Sequence, residues 1–467
     1  MAALGGTAGV GAGQEVEIPD DPDDVVDGRS IVLAMDEGHN TRPFEWLRDN
    51  IREDTGVDLE AIQGFPFEGL FENLMTEFAV GSDAFDLVSF YPQYLGTFAA
   101  GGHLTPLDDM MEVWDPQIDQ VLAPFRELYT QWGDHRYTLP IDGDVHMLIY
   151  RTDLFEEHNV PVPETWSEYV EAAQYFTEET DDIEYGVATY GERGFCYGWF
   201  LNRFGGLGGR YFDEDMNPEI NTEAGRRALE NWQETLEYAP PETVAYGYDE
   251  LRDAFTRGRV AMVIQWTDVP KNVRLFEETR GLWGGAPVPG WEDGGAASAM
   301  VVGRVLGIPS YISDEQKLAA YRFAQQFHDP EYSAHMVTDP GHGLDPWMEP
   351  HLDEPELYTQ QNPYREEDPD EESISFETIE EAEDYTEAVF ATLEQGYPEP
   401  YWPGAQRYIE AMDIHLSNFV AGEAAVDETL ENIEDDWNDI VEDLGREEQQ
   451  GHYESVIEAW ERAGIWD

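Results

Sequence analysis

Cysteine is almost absent from this 467-residue chain. The single thiol, Cys196, excludes an intramolecular disulfide and any C-x-x-C metal or redox motif. It stands in the apolar run GFCYGWF, where a small buried hydrophobe is expected. Lysine is nearly absent too. Lys271 and Lys317 are the only two, Arg supplies the rest of the 25 basic residues, and 100 acidic residues bring the formal charge to −75. Such a surface repels nucleic acid and anionic membranes, which makes both poor partners. Long apolar runs are missing, so no segment reads as transmembrane. Catalytic signatures are missing as well: there is no G-x-S-x-G, no H-E-x-x-H and no P-loop. The 11 His are dispersed, with His335 and His342 seven apart and no pair at helical metal-binding spacing. The sequence therefore points to no enzyme, no metal and no cofactor. Paired carboxylates would suit a glycoside hydrolase, but with 100 acidic residues some pair always occurs.

Hydrophobic residues make up 41% of the chain and aromatics 13%, enough to fold despite the acidity. The length allows one large core or two medium ones. Because the acidic residues are spread along every segment, a halophilic surface is the expected reading. Multimolar salt would screen self-repulsion to a range of about 3 Å. The competing reading is an acidic site for metal ions or polyamines.

Local signals give alternating strands and helices. RSIVLAM (Arg29 to Met35), VDLEAIQ and FDLVSF (Phe85 to Phe90) read as strands. Between them lie a helix capped by Thr41 with Phe44, Leu47 and Ile51 inward, and a helix carrying Phe67, Leu70, Phe71, Leu74 and Phe78 that Gly81 ends. This alternation implies right-handed parallel crossovers, with ligands at the carboxyl ends of the strands. Those ends place Glu37, His39 and Tyr91 as candidates. VHMLIY (Val145 to Tyr150) is the next strand. Thr165 and Glu168 form a capping box that opens a helix with Trp166, Tyr169, Val170, Ala173 and Phe176 as its apolar stripe. A helix over Asn221 to Tyr238 turns Ala228, Trp232 and Leu236 to one side. Asp249 opens a helix that Gly258 closes, and VAMVIQW is a strand emerging at Trp266. Ser313 and Gln316 make a second capping box, above a stripe of Ala320, Phe323, Ala324 and Phe327. Residues 362–384 read as an acidic solvated loop or helix face. No internal repeat is visible.

The run YRTDLFEEHNVPVPETWSEY (Tyr150 to Tyr169) resembles the extracellular solute-binding proteins of ABC importers, the large sugar-binding family. Its form at Tyr150-Arg151-Thr152-Asp153-Leu154 is most similar to the branch for polyols and monosaccharides. Further blocks follow in the family's order: FDLVSF, GGHLTPLDDMM, GVATYGERG, NTEAGRRALENW, AFTRGRVAMVIQWTD, LGIPSYISDEQKLAAYRFAQQF and LSNFVAGEAAVDETLENIEDDWNDI. The resemblance implies an α/β chain with the two-lobed periplasmic-binding-protein type II fold and a ligand cleft between the lobes. The expected division is a leader and acidic linker over 1–28, a first lobe of 29–139 with 297–350, and a second of 140–296 with 351–467. It implies a monomer on the outer side of the membrane that gives a sugar or polyol to permease subunits. The N-terminal MAALGGTAGVGAG resembles the end of an export signal, and a disordered start is the competing reading. Cys196 is too far along the chain to be an acylated anchor. Two other functions stay open: a secreted carbohydrate-active hydrolase, and a binding protein for a cation or a phosphorylated polyol. The scarcity of Lys and of Gly-rich phosphate loops weighs against phosphate.

A sugar needs aromatic faces for its C–H groups and charged or amide side chains for its hydroxyls. Trp266, leaving a buried strand beside Thr267 and Asp268, lies where the family places ligand contacts; the alternative is a core Trp. Tyr190 and Arg193 sit in a loop that similar proteins turn toward the ligand, unless they form a plain surface turn. Asp142, in PIDGD at the crossover, could bond paired hydroxyls or simply serve an Asp-Gly turn. Trp402 resembles aromatics that close over ligands in relatives. Asp345 and Trp347 fall where many relatives carry a contacting arginine, and Met300 where polyol binders carry an aromatic. This chain departs from the family at both places.

Overall fold

The computed structural model describes residues 18–19, 23–292, 294–341, 343–364 and 374–464. The export-signal reading of the first residues, His342 and residues 365–373 of the acidic 362–384 segment fall outside them. Two sheets organise the rest. In the first, β1 (Ser30–Asp36), β2 (Asp58–Phe65) and β3 (Leu87–Phe90) run parallel, with β1 between its two partners. The connecting helices Arg42–Thr55 and Leu70–Ala79 bury Phe44, Leu47 and Ile51 on one and Leu70, Leu74 and Phe78 on the other, while Phe71 is only half-buried and Phe67 lies ahead of the helix in a short turn. A small hairpin of β4 (Gln131–Trp132) and β5 (His135–Arg136) precedes β6 (Thr138–Pro140).

The chain then builds the second sheet from β7 (His146–Arg151), β8 (Tyr185–Val187), β9 (Val260–Trp266) and β10 (Trp283–Ala286), in the order β10-β7-β9-β8. After β11 (Ala299–Val301), β12 (Val305–Gly307) returns to the first sheet and lies antiparallel between β3 and β6. Finally β13 (Gly396–Pro398) pairs with β11. The helix Ile379–Leu393 packs on β10 and β7.

Three chain segments pass between the sheets side by side. Ile141 N donates to Arg304 O (2.9 Å) and Val302 N to Asp144 O (3.0 Å), pairing the first segment with the second. Gly143 N donates to Asp345 O (3.1 Å), and Asp345 N to Asp142 Oδ1 (2.7 Å), which ties in the third. Backbone approach is so close that a Cβ on Gly303, whose φ is +139°, would lie 2.3 Å from Asp142 O. One on Gly143 would lie 2.0 Å from Pro346 O.

Several local expectations need correction. The Thr165–Glu168 capping box is complete, with both reciprocal bonds made. Thr41, however, is already helical (φ −74°, ψ −25°) and its hydroxyl donates back to Gly38 O, so it caps nothing. A short turn over His39–Thr41 starts the helix instead. Gly247, not Asp249, stands at the N-cap of Tyr248–Thr256. At Ser313 only half the box forms, because the Gln316 side chain reaches across to Ser30 O. The linker also folds earlier than residue 29. Asp23–Val26 is helical, Val26 is buried against the helix Asp314–Gln325, and Trp114 Nε1 donates to Pro19 O at 3.1 Å.

Candidate functional site

A cavity of about 210 Å³ lies where β1, β3 and β9 end. The first sheet contributes Asp36, the last residue of β1, then Glu37, His39 and Asn40, and from later turns Phe67, Tyr91 and Gln93. The second side contributes Gly194, Phe195, Tyr197, Tyr248, Trp266 and Asp268. The crossing segments supply Asp144, Val302, Arg304 and Gly343. A larger cleft of about 890 Å³ lies along Gly205–Gly208, Gly294–Ser298 and Leu393–Tyr397. It is wide but gathers no comparable set of buried charges, so the smaller cavity is the candidate site.

Arg304 is the electrostatic centre. Its guanidinium donates to Tyr91 Oη (3.0 Å) and to Asp142, and lies 3.5 Å from Asp36 Oδ1 and 3.7 Å from Asp144 Oδ2. It also sits 5.0 Å from the centroid of the Tyr91 ring, within cation–π range. Tyr91 in turn donates to Asp36 Oδ2 (3.1 Å), as does Asn40 Nδ2 (3.0 Å). A second buried pair stands alongside. Lys271 Nζ meets Asp345 Oδ1 at 3.1 Å and donates to the carbonyls of Val337 and Leu344, while Thr267 Oγ1 donates to Asp345 Oδ2. Asp268 accepts from Tyr248 Oη. Five buried carboxylates thus face two buried cations.

This crowding shows in the protonation equilibria. Burial, and then the charge of Asp345, push Asp268 up to about 7. Burial raises Asp142 to about 6 against the pull of Arg304. Burial and the neighbouring Asp142 drive Asp144 well above the carboxylate range. Burial and Arg304 push His39 down to about 4, so it stays neutral near pH 7.

Aromatic rings close the rest of the surface. Trp266 packs on His146 with centroids 3.9 Å apart. Two stacked pairs join the two sides of the cavity, His39 with Tyr248 (5.9 Å) and Phe67 with Phe195 (6.0 Å). Tyr197 Oη donates to the buried Glu399, whose carboxyl burial raises to about 8.

Of the residues expected from the sequence, Glu37, His39, Tyr91, Trp266 and Asp268 line this cavity together. Asp142 stands directly behind it on Arg304. Tyr190 is fully buried in the next layer, donating to Gln265 and stacked on Phe195. The others lie elsewhere. Arg193 is exposed outside the cavity. Met300 is core, its backbone N bonded to Asn202 and its sulfur against Gly198. Asp345 is committed to Lys271 and Thr267. Trp347 is buried against His351. Trp402 does not close over anything: it is wholly buried among Tyr211, Tyr408 and Tyr453.

Sequence reasoning missed Arg304, Asp144, Tyr248, Phe195, Tyr197 and Asn40. Arg304 alone carried a signal. It interrupts the apolar run AMVVGRVLGI, and a charge there needs a buried partner.

Residues 38–329 match a family model described as bacterial extracellular solute-binding protein. The mannitol-binding protein of Pseudomonas aeruginosa is 28% identical over 207 residues, 43% of this chain and 45% of that protein. The arabinooligosaccharide-binding protein of Halalkalibacterium halodurans is 26% identical over 250 residues, 50% of this chain and 53% of its own. The matched region therefore spans about half the length of these curated relatives. An ABC transporter solute-binding protein from Agrobacterium radiobacter K84, solved in complex with ribitol, superposes with a TM-score of 0.76 at 21% identity, covering 89% of this chain and 99% of that one. The two share a fold.

Proposed function

The chain belongs to the bacterial extracellular solute-binding protein family, and we propose that it captures one small sugar or polyol for an ABC importer. The observation that carries this reading is the 210 Å³ cavity in which Asp36, Asp268 and Arg304 converge beside Trp266. Charged side chains that bond hydroxyls next to an aromatic face are what a polyhydroxy solute requires. The volume lies below the roughly 300–1,000 Å³ of drug-sized sites and suits a single unit rather than an oligosaccharide. Mannitol and ribitol, named for two of the similar proteins, are solutes of this kind.

The lobes are taken as 29–139 with 297–350 and 140–296 with 351–467. The three crossing segments then form the hinge, and the His39–Tyr248 and Phe67–Phe195 stacks come together as the lobes close. The closed form would be read by permease subunits on the outer face of the membrane. Among the described residues no helix is long and apolar enough to cross a membrane. The bound solute leaves unchanged, and the protein works as a monomer.

Titration calorimetry with pentitols, hexitols, monosaccharides and disaccharides tests the reading. A single-unit solute should bind, and Trp266→Ala should weaken it by about 2 kcal/mol, roughly thirtyfold. If no solute in the panel binds, solute capture is the wrong function for this cavity.

A further inference from the structure

Among the described residues, the fully enclosed polar atoms of the cavity wall that lack a partner lean to one side. Asp268 Oδ1, Asn40 Oδ1 and Gln93 Oε1 are buried and accept from no donor among the described residues. These residues are 1%, 3% and 4% exposed. The remaining buried lining atoms without a hydrogen bond, Asp36 Oδ1 and Arg304 Nε, face each other as an ion pair at 3.5 Å. Among these enclosed atoms acceptors are left over, and a donor on the ligand would meet them.

Charge leans the same way. Arg304 is shared among Asp36, Asp142 and Asp144, and Lys271 is held by Asp345. Among the described residues Asp268 has a phenol for its partner and no cation in contact. It lines the cavity next to Trp266, whose π-face attracts positive charge. A phosphate or carboxylate on the ligand would add acceptors and negative charge where both are in excess. A hydroxyl supplies one donor and brings acceptor lone pairs with it. An ammonium supplies three donors, a positive charge and no acceptor.

We propose that the solute carries a protonated amine among its hydroxyls, as an amino-alditol or amino sugar does, with the ammonium bound at the Asp268 end of the cavity against Trp266. This rests on the solute-capture reading above and narrows its ligand class. The hydroxyls remain for Arg304, Asn40 and Gln93, so the site recognises a polyol backbone and a cationic end together.

The test is calorimetry on the intact wild-type protein with matched ligand pairs in one buffer at fixed salt. These are 1-amino-1-deoxy-D-sorbitol against D-sorbitol, and D-glucosamine against D-glucose and N-acetyl-D-glucosamine. The amine should bind about tenfold or more tighter than its neutral counterpart, the scale of a charge-assisted hydrogen bond with a cation–π contact. Asp268→Asn should bring that ratio close to one. The ratio is read first on the wild-type protein, so misfolding of the variant does not affect it. A neutral member that binds as tightly as its amine, or tighter, overturns the inference and leaves solute capture standing. If no amine and no neutral sugar or polyol binds, both readings fall together.

Discussion

Arg304 and Asp268 carry most of the physical tension in this molecule, and they carry it in opposite ways. Arg304 compensates several carboxylates at once. Removing one partner of a buried ion pair costs about 3–5 kcal/mol, because the other charge stays behind. Arg304→Met should therefore lower stability by an amount of that order, read from the urea midpoint, and a midpoint unchanged from wild type would show that the carboxylates do not depend on it. Asp268 has no cation in contact among the described residues, and burial outweighs the more distant Lys271 and Arg252 to raise its carboxyl to about 7. Between its unfolded value near 4 and about 7, the native state holds a proton that the unfolded state has lost, so this group makes stability fall as pH rises. His39, pushed down to about 4, works the other way and gains stability as pH rises toward its unfolded value near 6.5. The two contributions are separable by difference. Asp268→Asn should remove the decline between about pH 4 and pH 7, so the gap between the urea midpoints of wild type and variant should change steadily across that window and level off outside it. Parallel stability curves for the two proteins would refute the assignment.

The crossing segments show which elements could be read ahead of the structure and which could not. The parallel crossovers, the capping box at Thr165 and the strand ending at Trp266 were legible, because each depends on residues close together in the chain. So were the strand-end positions of Glu37, His39 and Tyr91, since a parallel sheet fixes where its loops gather. Arg304 meets Asp36 and Asp142 only after the chain has crossed between sheets and returned, and no local pattern encodes that meeting. Trp402 misled for the same reason. An aromatic in a Pro-rich loop looks available until the helices Ala405–Val420 and Arg446–Arg462 fold around it. The crossing itself makes a prediction. Gly303 has a φ of +139° and no room for a Cβ beside Asp142 O. Gly303→Ala should cost about 1–3 kcal/mol and push the first two segments apart. Its urea midpoint should drop, and small-angle scattering with saturating solute should show less compaction than wild type. Normal compaction at wild-type stability would exclude these segments as a tight hinge.

At the scale of the whole molecule the excess of negative charge dominates. The formal charge of −75 is what remains after all 25 cations are counted against 100 acidic residues, so exposed ion pairs such as Arg52–Asp49 and Arg407–Asp443 do not reduce it. Such pairs are worth about 0–1 kcal/mol each and cannot offset repulsion on that scale. In dilute salt, with a screening length of about 10 Å at 0.1 M, neighbouring carboxylates repel across the folded surface and the extended chain relieves them. At about 1 M the length falls to about 3 Å and the penalty of compaction largely disappears. The thermal midpoint should therefore climb steeply as KCl rises from about 0.1 M to about 2 M. Salt also strengthens apolar burial through ion exclusion, and sulfate does this better than chloride. Potassium chloride and potassium sulfate at matched ionic strength separate the two causes. If screening governs, the first part of the rise should coincide in both salts, and only the upper part should separate. A midpoint indifferent to KCl would mean the folded surface tolerates its own charge without screening. The buried network around Arg304 is shielded by protein rather than by ions, so the pH-dependent difference between wild type and Asp268→Asn should persist at both ends of the salt range.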